Sequence, residues 1–199
     1  MNSRIKKISV FAALALLFIG CAFGNRKIDL VYPPKDYAQY KPDPDLSHKM
    51  GFKKIGLVVA DERSGDKKFL GEVRNGFYMH TADVVTEASV QAWVEKAFTQ
   101  ELERSGFSVV KTSEAQSILK VAIDEVHCNA YWGYSANVNL RLNFTKGPKV
   151  GQVSKIESFG SDGMNWAATD GGYQESLSKA LADAYYQAGL GFMKPALLP

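Results

Sequence analysis

The ten residues Ala136–Thr145 alternate without a break. Ala136, Val138, Leu140, Leu142 and Phe144 fall on one side, and Asn137, Asn139, Arg141 and Asn143 on the other. Successive side chains of a strand point to opposite faces. This segment therefore belongs to a sheet with one dry face and one face turned to water or to a polar partner. A strand buried on both sides, as in a parallel α/β core, would read as a continuous apolar run instead.

Further segments extend such a sheet. Ile55-Gly-Leu-Val-Val-Ala60 is a short apolar run that ends in the charged turn Asp61-Glu62-Arg63. Phe69–Val73 and Phe77–Val85 flank Asn75-Gly76, a dipeptide suited to a tight hairpin. Ser117–Cys128 alternates through Leu119, Val121 and Ile123, then falls out of phase at Val126 and Cys128, which predicts a bulge near Glu125. Gly147-Pro148 makes a turn before a strand at Lys149–Phe159.

Two helices are available to cover the dry face. Between Glu87 and Ser105, Val90, Trp93, Val94, Ala97, Phe98 and Leu102 keep a 3–4 spacing, and the charged residues, Glu101 among them, lie largely off that stripe. Gly106 then suits a left-handed C-cap, with Phe107 folding back on the last turn. From Gly172 to Phe192 the stripe is Leu177, Ala180, Leu181, Ala184, Tyr185, Ala188 and Phe192, and Pro195 stops any continuation. The order predicts an α+β fold, an antiparallel β-sheet with two α-helices packed on one face.

The N-terminus sets the compartment. Arg4, Lys6 and Lys7 precede the unbroken apolar stretch Val10–Ile19, which suits a signal-peptide core of about 7–15 residues and is short for a spanning helix of about 20. Phe18-Ile19-Gly20-Cys21 resembles a bacterial lipoprotein lipobox, with Phe18 where leucine is usual. The resemblance implies cleavage after Gly20 and a diacylglycerol and an N-acyl chain on Cys21. Two or more chains give stable anchoring where one is marginal. An ordinary cleaved secretory signal with a chance cysteine is the alternative. Ala22, which is not aspartate, implies sorting to the outer membrane, facing the periplasm. With Cys21 acylated, Cys128 has no mate for an intramolecular disulfide, and it is expected to be buried in the sheet.

Cleavage changes the charge balance. Of 24 basic residues three precede Cys21, and the remaining 21 meet 21 acidic ones. Nucleic-acid binding needs a basic face that replaces condensed counterions, and a neutral chain argues against it. The expected division is a signal peptide at 1–20, a lipidated cysteine and Pro-rich tether at 21–50, one α+β periplasmic domain at 51–194, and a tail at 195–199. In a polyproline-like form, some thirty tether residues would reach roughly 90 Å. The alternative is a segment laid along the domain, with its tyrosines, Leu30 and Val31 pinned to the surface.

The domain resembles the YajG-like family of bacterial lipoproteins. The resemblance rests on the lipobox at Cys21, the Asp61-Glu62-Arg63 turn, Arg74-Asn75-Gly76, Gly106-Phe107-Ser108-Val109 and Ile118-Leu-Lys-Val-Ala-Ile123, and it covers about Lys53–Phe192. It implies a location and a fold rather than a reaction.

Candidate chemistry is sparse. Asp61, Glu62, Arg63 and Asp66 crowd one turn, where Asp61 either holds a ligand or pairs with Arg63 as turn aspartates do. His48, His80 and His127 have no second ligand at metal spacing, so no metal site is expected. His127 and Cys128 point to opposite faces and form no nucleophile–base pair. Phe159-Gly-Ser-Asp-Gly163 departs from the nucleophile-elbow pattern. The aromatic–glycine segments Tyr131-Trp132-Gly133-Tyr134 and Asn165-Trp166, with Asp170 nearby, either stack on sugar rings or a partner, or cap the core. Asn137, Asn139, Arg141 and Asn143 add a polar surface. The expectation is a lipid-anchored, non-enzymatic envelope accessory or assembly factor, without cofactor beyond its acyl chains, that meets the membrane and an envelope protein. The alternative is a glycan (peptidoglycan) or lipid binding module, auxiliary to a transporter.

Overall fold

The computed structural model describes residues 24–32, 40–75, 77–131, 133–146, 152–164 and 169–193. Cys21 and the lipobox, Trp132, Gly147-Pro148, Asn165 and Trp166 lie outside them. Among the described residues eight strands form one sheet. Its spine is β6 (Ser117–Ala130), which pairs antiparallel along its length with β7 (Gly133–Lys146), and β7 in turn with β8 (Gln152–Met164). The register of β6 on β7 shifts between Ile123 and Glu125. Ile123 and Val126 are both buried as a result, so the phase break in the sequence is a bulge that keeps apolar side chains on the dry face.

The other edge of β6 is shared. β2 (Lys54–Asp61) runs parallel to its first half, from Ile55 opposite Ser117 to Asp61 opposite Ile123. The chain then loops out and returns as β3 (Phe69–Arg74), again parallel, with Gly71 opposite Cys128. β4 (His80–Val85) pairs antiparallel with β3, and β5 (Ser108–Val110) parallel with β2. The α+β class holds, with a correction to strand direction: the sheet is mixed, not antiparallel throughout. β2, β3 and β5 all run in the direction of β6, and the chain leaves the sheet between them, by a loop from β2 to β3 and by β4 and a helix from β3 to β5.

Two long helices cover the dry face. α2 (Val90–Arg104) follows the short α1 (Leu46–Met50) and begins where Ser89 Oγ accepts from the Ala92 N–H at 3.1 Å. It ends at Gly106, whose φ of 84° favours a residue without a Cβ, and the Phe107 N–H closes on the Leu102 carbonyl at 3.0 Å. α3 (Asp170–Met193) crosses β8 and β7. Its approach is close: a Cβ on Gly160 of β8 would stand 2.0 Å from the Ser176 carbonyl oxygen of α3. The helices meet where the Phe98 and Tyr185 rings lie edge to face, centroids 5.6 Å apart. The expected apolar stripe of α2 is buried, and so is that of α3 from Leu177 to Ala188. So is Glu101, contrary to its placement off the stripe, because the Tyr32 hydroxyl (2.9 Å) and the Arg104 guanidinium (2.9 and 3.1 Å) satisfy its carboxylate.

The described part of the segment before the domain is laid along it. β1 (Arg26–Lys27) pairs parallel with Val84 and Val85 of β4, and Ile28, Tyr32, Leu46 and Met50 are buried in the common core. Ser178 Oγ donates to the Val31 carbonyl at 3.1 Å.

Candidate functional site

Three regions carry the candidate residues. The first is the loop between β2 and β3, left where the chain departs from β6 opposite its bulge. Asp61, the last residue of β2, accepts Arg63 Nε at 2.9 Å and Nη2 at 2.8 Å, a two-pronged pair. Arg63 is buried and also donates to the carbonyls of Lys67 (2.8 Å) and Phe69 (3.4 Å). One guanidinium therefore gathers the whole loop. Burial pushes the Asp61 carboxyl up, but the hydrogen bonds and charge of Arg63 outweigh it and hold the carboxyl below its ordinary range. Asp66 is used locally, with the Lys68 N–H on its Oδ1 at 2.9 Å.

The second region is the open face of the sheet. Arg141 on β7 reaches across to Asp124 on β6, Nε to Oδ2 at 2.8 Å, and to Glu62 through Nη2. These carboxylates, Asp124 foremost, raise its pKa further. Asn139 Nδ2 donates to Glu125 Oε2 at 2.6 Å. Asn137 is exposed, and Asn143 is half-buried with its Oδ1 lacking a partner among the described residues. Beneath the Arg63 loop the face hollows into a cleft of about 630 Å³, with Asp66, Asp124, Glu125, His127 and Asn139 along it and Phe69 at its wall. His127 Nε2 lies 2.9 Å from Asn129 Oδ1, and its ring centroid is 6.2 Å from that of Phe69. The cleft was not visible in the sequence, because a loop-out and a bulge form it only once β2 and β3 share one edge of β6.

The third region is the end of the sheet at the C-terminus of β6. Tyr134 lies in β7 and is buried, its ring edge-on to Tyr173 at 5.0 Å. Its hydroxyl is 3.0 Å from Thr169 Oγ1 and accepts the Thr169 N–H at 2.5 Å, which ties the start of α3 to the sheet. Asp170 is exposed at the first turn of α3. Phe159–Gly163 is continuous strand within β8. The hairpin also differs from the two-residue turn expected: β4 begins at His80, not Phe77. Asn75 Oδ1 accepts the N–H groups of Phe77 (2.9 Å) and Met79 (3.1 Å), and this Asx cap favours a wider loop over a ladder. Phe77, Tyr78 and Met79 are consequently 84%, 65% and 57% exposed. Tyr131 meets them there, its ring stacked on Tyr78 at 4.1 Å.

Among the described residues no cluster of three or more His, Cys, Asp or Glu side chains is placed to hold a metal. Cys128 is a free, buried thiol, and burial raises its pKa to about 12. No described helix is long and apolar enough to cross a membrane.

No family model matches the chain. No curated protein matches it either. Among solved structures, a Xanthomonas campestris protein described by the DUF330 family model is similar over 87% of this chain and 98% of its own, at 11% identity and a TM-score of 0.50. The hypothetical protein CT253 of Chlamydia trachomatis follows over 73% and 98%, at 10% identity and 0.47. Lipoprotein GNA1162 of Neisseria meningitidis covers 72% and 99%, at 8% and 0.38. At such identities the likeness to the Xanthomonas protein is one of fold.

Proposed function

We propose that this chain is a lipid-anchored lipoprotein of the bacterial envelope, acylated at Cys21, that serves without catalysis as an accessory or assembly factor on the periplasmic side of the outer membrane. The observation that carries the reading is the apolar run Val10–Ile19 leading into Gly20-Cys21, with Arg4, Lys6 and Lys7 before it. The finer YajG-like assignment rests on the short motifs that run from Asp61-Glu62-Arg63 to Ile123. Within this reading the Asp61–Arg63 pair shapes a loop, and the core serves packing. The test is fractionation of cells that express the native chain or Cys21→Ser. The native chain should sediment with membranes and the variant should become soluble. An unchanged membrane fraction in the variant would refute the anchor. Crosslinking in cells then identifies the protein partner.

The acidic cleft favours a second reading, a module for a hydroxyl-rich ligand such as a peptidoglycan fragment. Its volume lies within the usual range for small-ligand sites, and its carboxylates, Asn139 and the Phe69 and His127 rings suit a sugar. Titration of peptidoglycan fragments against the native chain and Asn139→Ala separates the readings. Equal affinity in both would remove the cleft as a ligand site.

A further inference from the structure

Three consecutive apolar side chains, Phe77, Tyr78 and Met79, stand in solvent at one end of the sheet, and their loop is not loose. Asn75 fixes it with the two hydrogen bonds described above, Tyr78 holds a φ of 61°, and the Tyr78 ring is stacked on Tyr131 from the next hairpin. A non-glycine residue in the left-handed region costs free energy and marks a feature that the surroundings enforce. The fold thus spends strain to hold an apolar tip outward, where water disfavours it.

The first described residues of the chain lead toward this tip. β1 is parallel to β4, with Arg26 opposite Val84, so going back from Arg26 through Asn25 to Gly24 leads along β4 in the direction of His80 and the loop that precedes it. Asn25 continues that course, its Oδ1 accepting the Asp83 N–H at 3.3 Å. Three residues further back lies the cysteine of the proposed anchor: from Gly24 to Cys21 the chain spans at most about 11 Å. An acyl-bearing Cys21 therefore holds the bilayer surface within reach of the tip. Charge near the tip is balanced, Arg74 on Glu72 at 2.8 Å and His80 beside Asp83 at 2.9 Å, so attraction to anionic headgroups is not its basis. Aromatic rings and methionine at the level of the headgroups suit insertion by partition.

We infer that the Phe77–Tyr78–Met79 tip, backed by Tyr131, inserts into the interface of the bilayer that holds Cys21 and seats the domain end-on, with the start of β6 farthest from the membrane. The inference rests on the anchor reading and adds the surface that the domain turns to the lipid.

The test uses the full lipidated chain in phosphatidylcholine vesicles containing a brominated lipid. A polarity-sensitive fluorophore is placed at Phe77→Cys in one sample and at Glu103→Cys in another. Phe77 is the most exposed side chain of the tip, and Glu103 is exposed near the opposite end of the sheet, by the start of β5. Cys128 is buried and takes no label. The expected result is co-flotation of both samples, quenching at position 77 several-fold greater than at 103, and no change between low and high salt. Co-flotation with equal, weak quenching at both positions overturns the seating and leaves the anchor standing. Crosslinks from position 77 to a second copy or another envelope protein, without quenching, overturn it in favour of a protein interface. Failure to float refutes the anchor and the inference with it. A second pair labelled at Met79→Cys and Glu103→Cys guards against a local effect of the Phe77 change and should show the same contrast.

Discussion

Asp61 and Arg63 show how little separates a reactive-looking cluster from a structural one. The sequence presents four charged residues in six positions; in three dimensions Arg63 is consumed by Asp61 and two loop carbonyls. Removing Arg63 leaves the half-buried Asp61 with Lys67 Nζ at 3.3 Å and two loop carbonyls without their donor, a change that costs about 1–3 kcal/mol. Arg63→Ala should lower the urea midpoint accordingly, and a shift too small to resolve would show that the loop does not depend on the pair. The pH dependence has a definite sign. The Asp61 carboxyl is depressed in the folded state. Its contribution is therefore complete above the unfolded value of about 3.9 and is lost as pH falls through the lower folded value. Asp61→Asn should flatten the acid limb of a stability–pH curve below about pH 4; an unchanged limb contradicts the assignment. Cys128 permits a sharper check. Buried and with its pKa raised to about 12, it should stay unmodified by a thiol reagent at pH 8 and react fully once the chain is unfolded in guanidinium. Rapid reaction of the native protein would contradict its burial.

Elements were legible where their periodicity was long. Ala136–Thr145, the phase break near Glu125 and the stripe of α2 appear in the structure much as alternation and 3–4 spacing imply. The β3–β4 connection misled because Phe77-Tyr-Met79 is apolar enough to pass for a strand, while the Asn75 side chain captures two N–H groups that a ladder would need. β1 is two residues long, too short for any pattern. Its partner strand lies far along the chain, and pairing at that separation leaves no local mark. Glu101 reads as solvent-facing because its partner Tyr32 comes from a segment that reads as tether. Packing between elements makes one firm demand. With a Cβ at 2.0 Å from the Ser176 oxygen, Gly160→Ala must push α3 off β8, and the overpacking should cost about 2 kcal/mol or more. Thermal unfolding would reveal a variant as stable as the native chain, which would mean that α3 does not sit so close.

Among the described residues the core begins before residue 51, where the sequence leads one to expect the domain to start. Ile28, Tyr32, Leu46 and Met50 share the core with the sheet and both long helices. Burying each such side chain contributes about 1.5–3 kcal/mol, against a total stability of about 5–15 kcal/mol for a domain. A chain that starts at Lys53 should therefore melt at least 10 °C below one that starts at Gly24, as ΔΔG of that size shifts the midpoint by several degrees per kcal/mol. Coincident melting curves would show that the segment is an ornament on an independent domain. The same packing leaves only a few residues between the described chain and Cys21, so under the proposed anchor the hairpin tip comes within reach of the membrane.

Intact mass spectrometry of the protein extracted from membranes reads the proposed acylation of Cys21 directly. The expected mass is that of a chain beginning at Cys21 and carrying a diacylglycerol and an N-acyl chain, with the added mass confined to the N-terminal peptide. A mature chain that begins elsewhere, or begins at Cys21 without acyl groups, would contradict it.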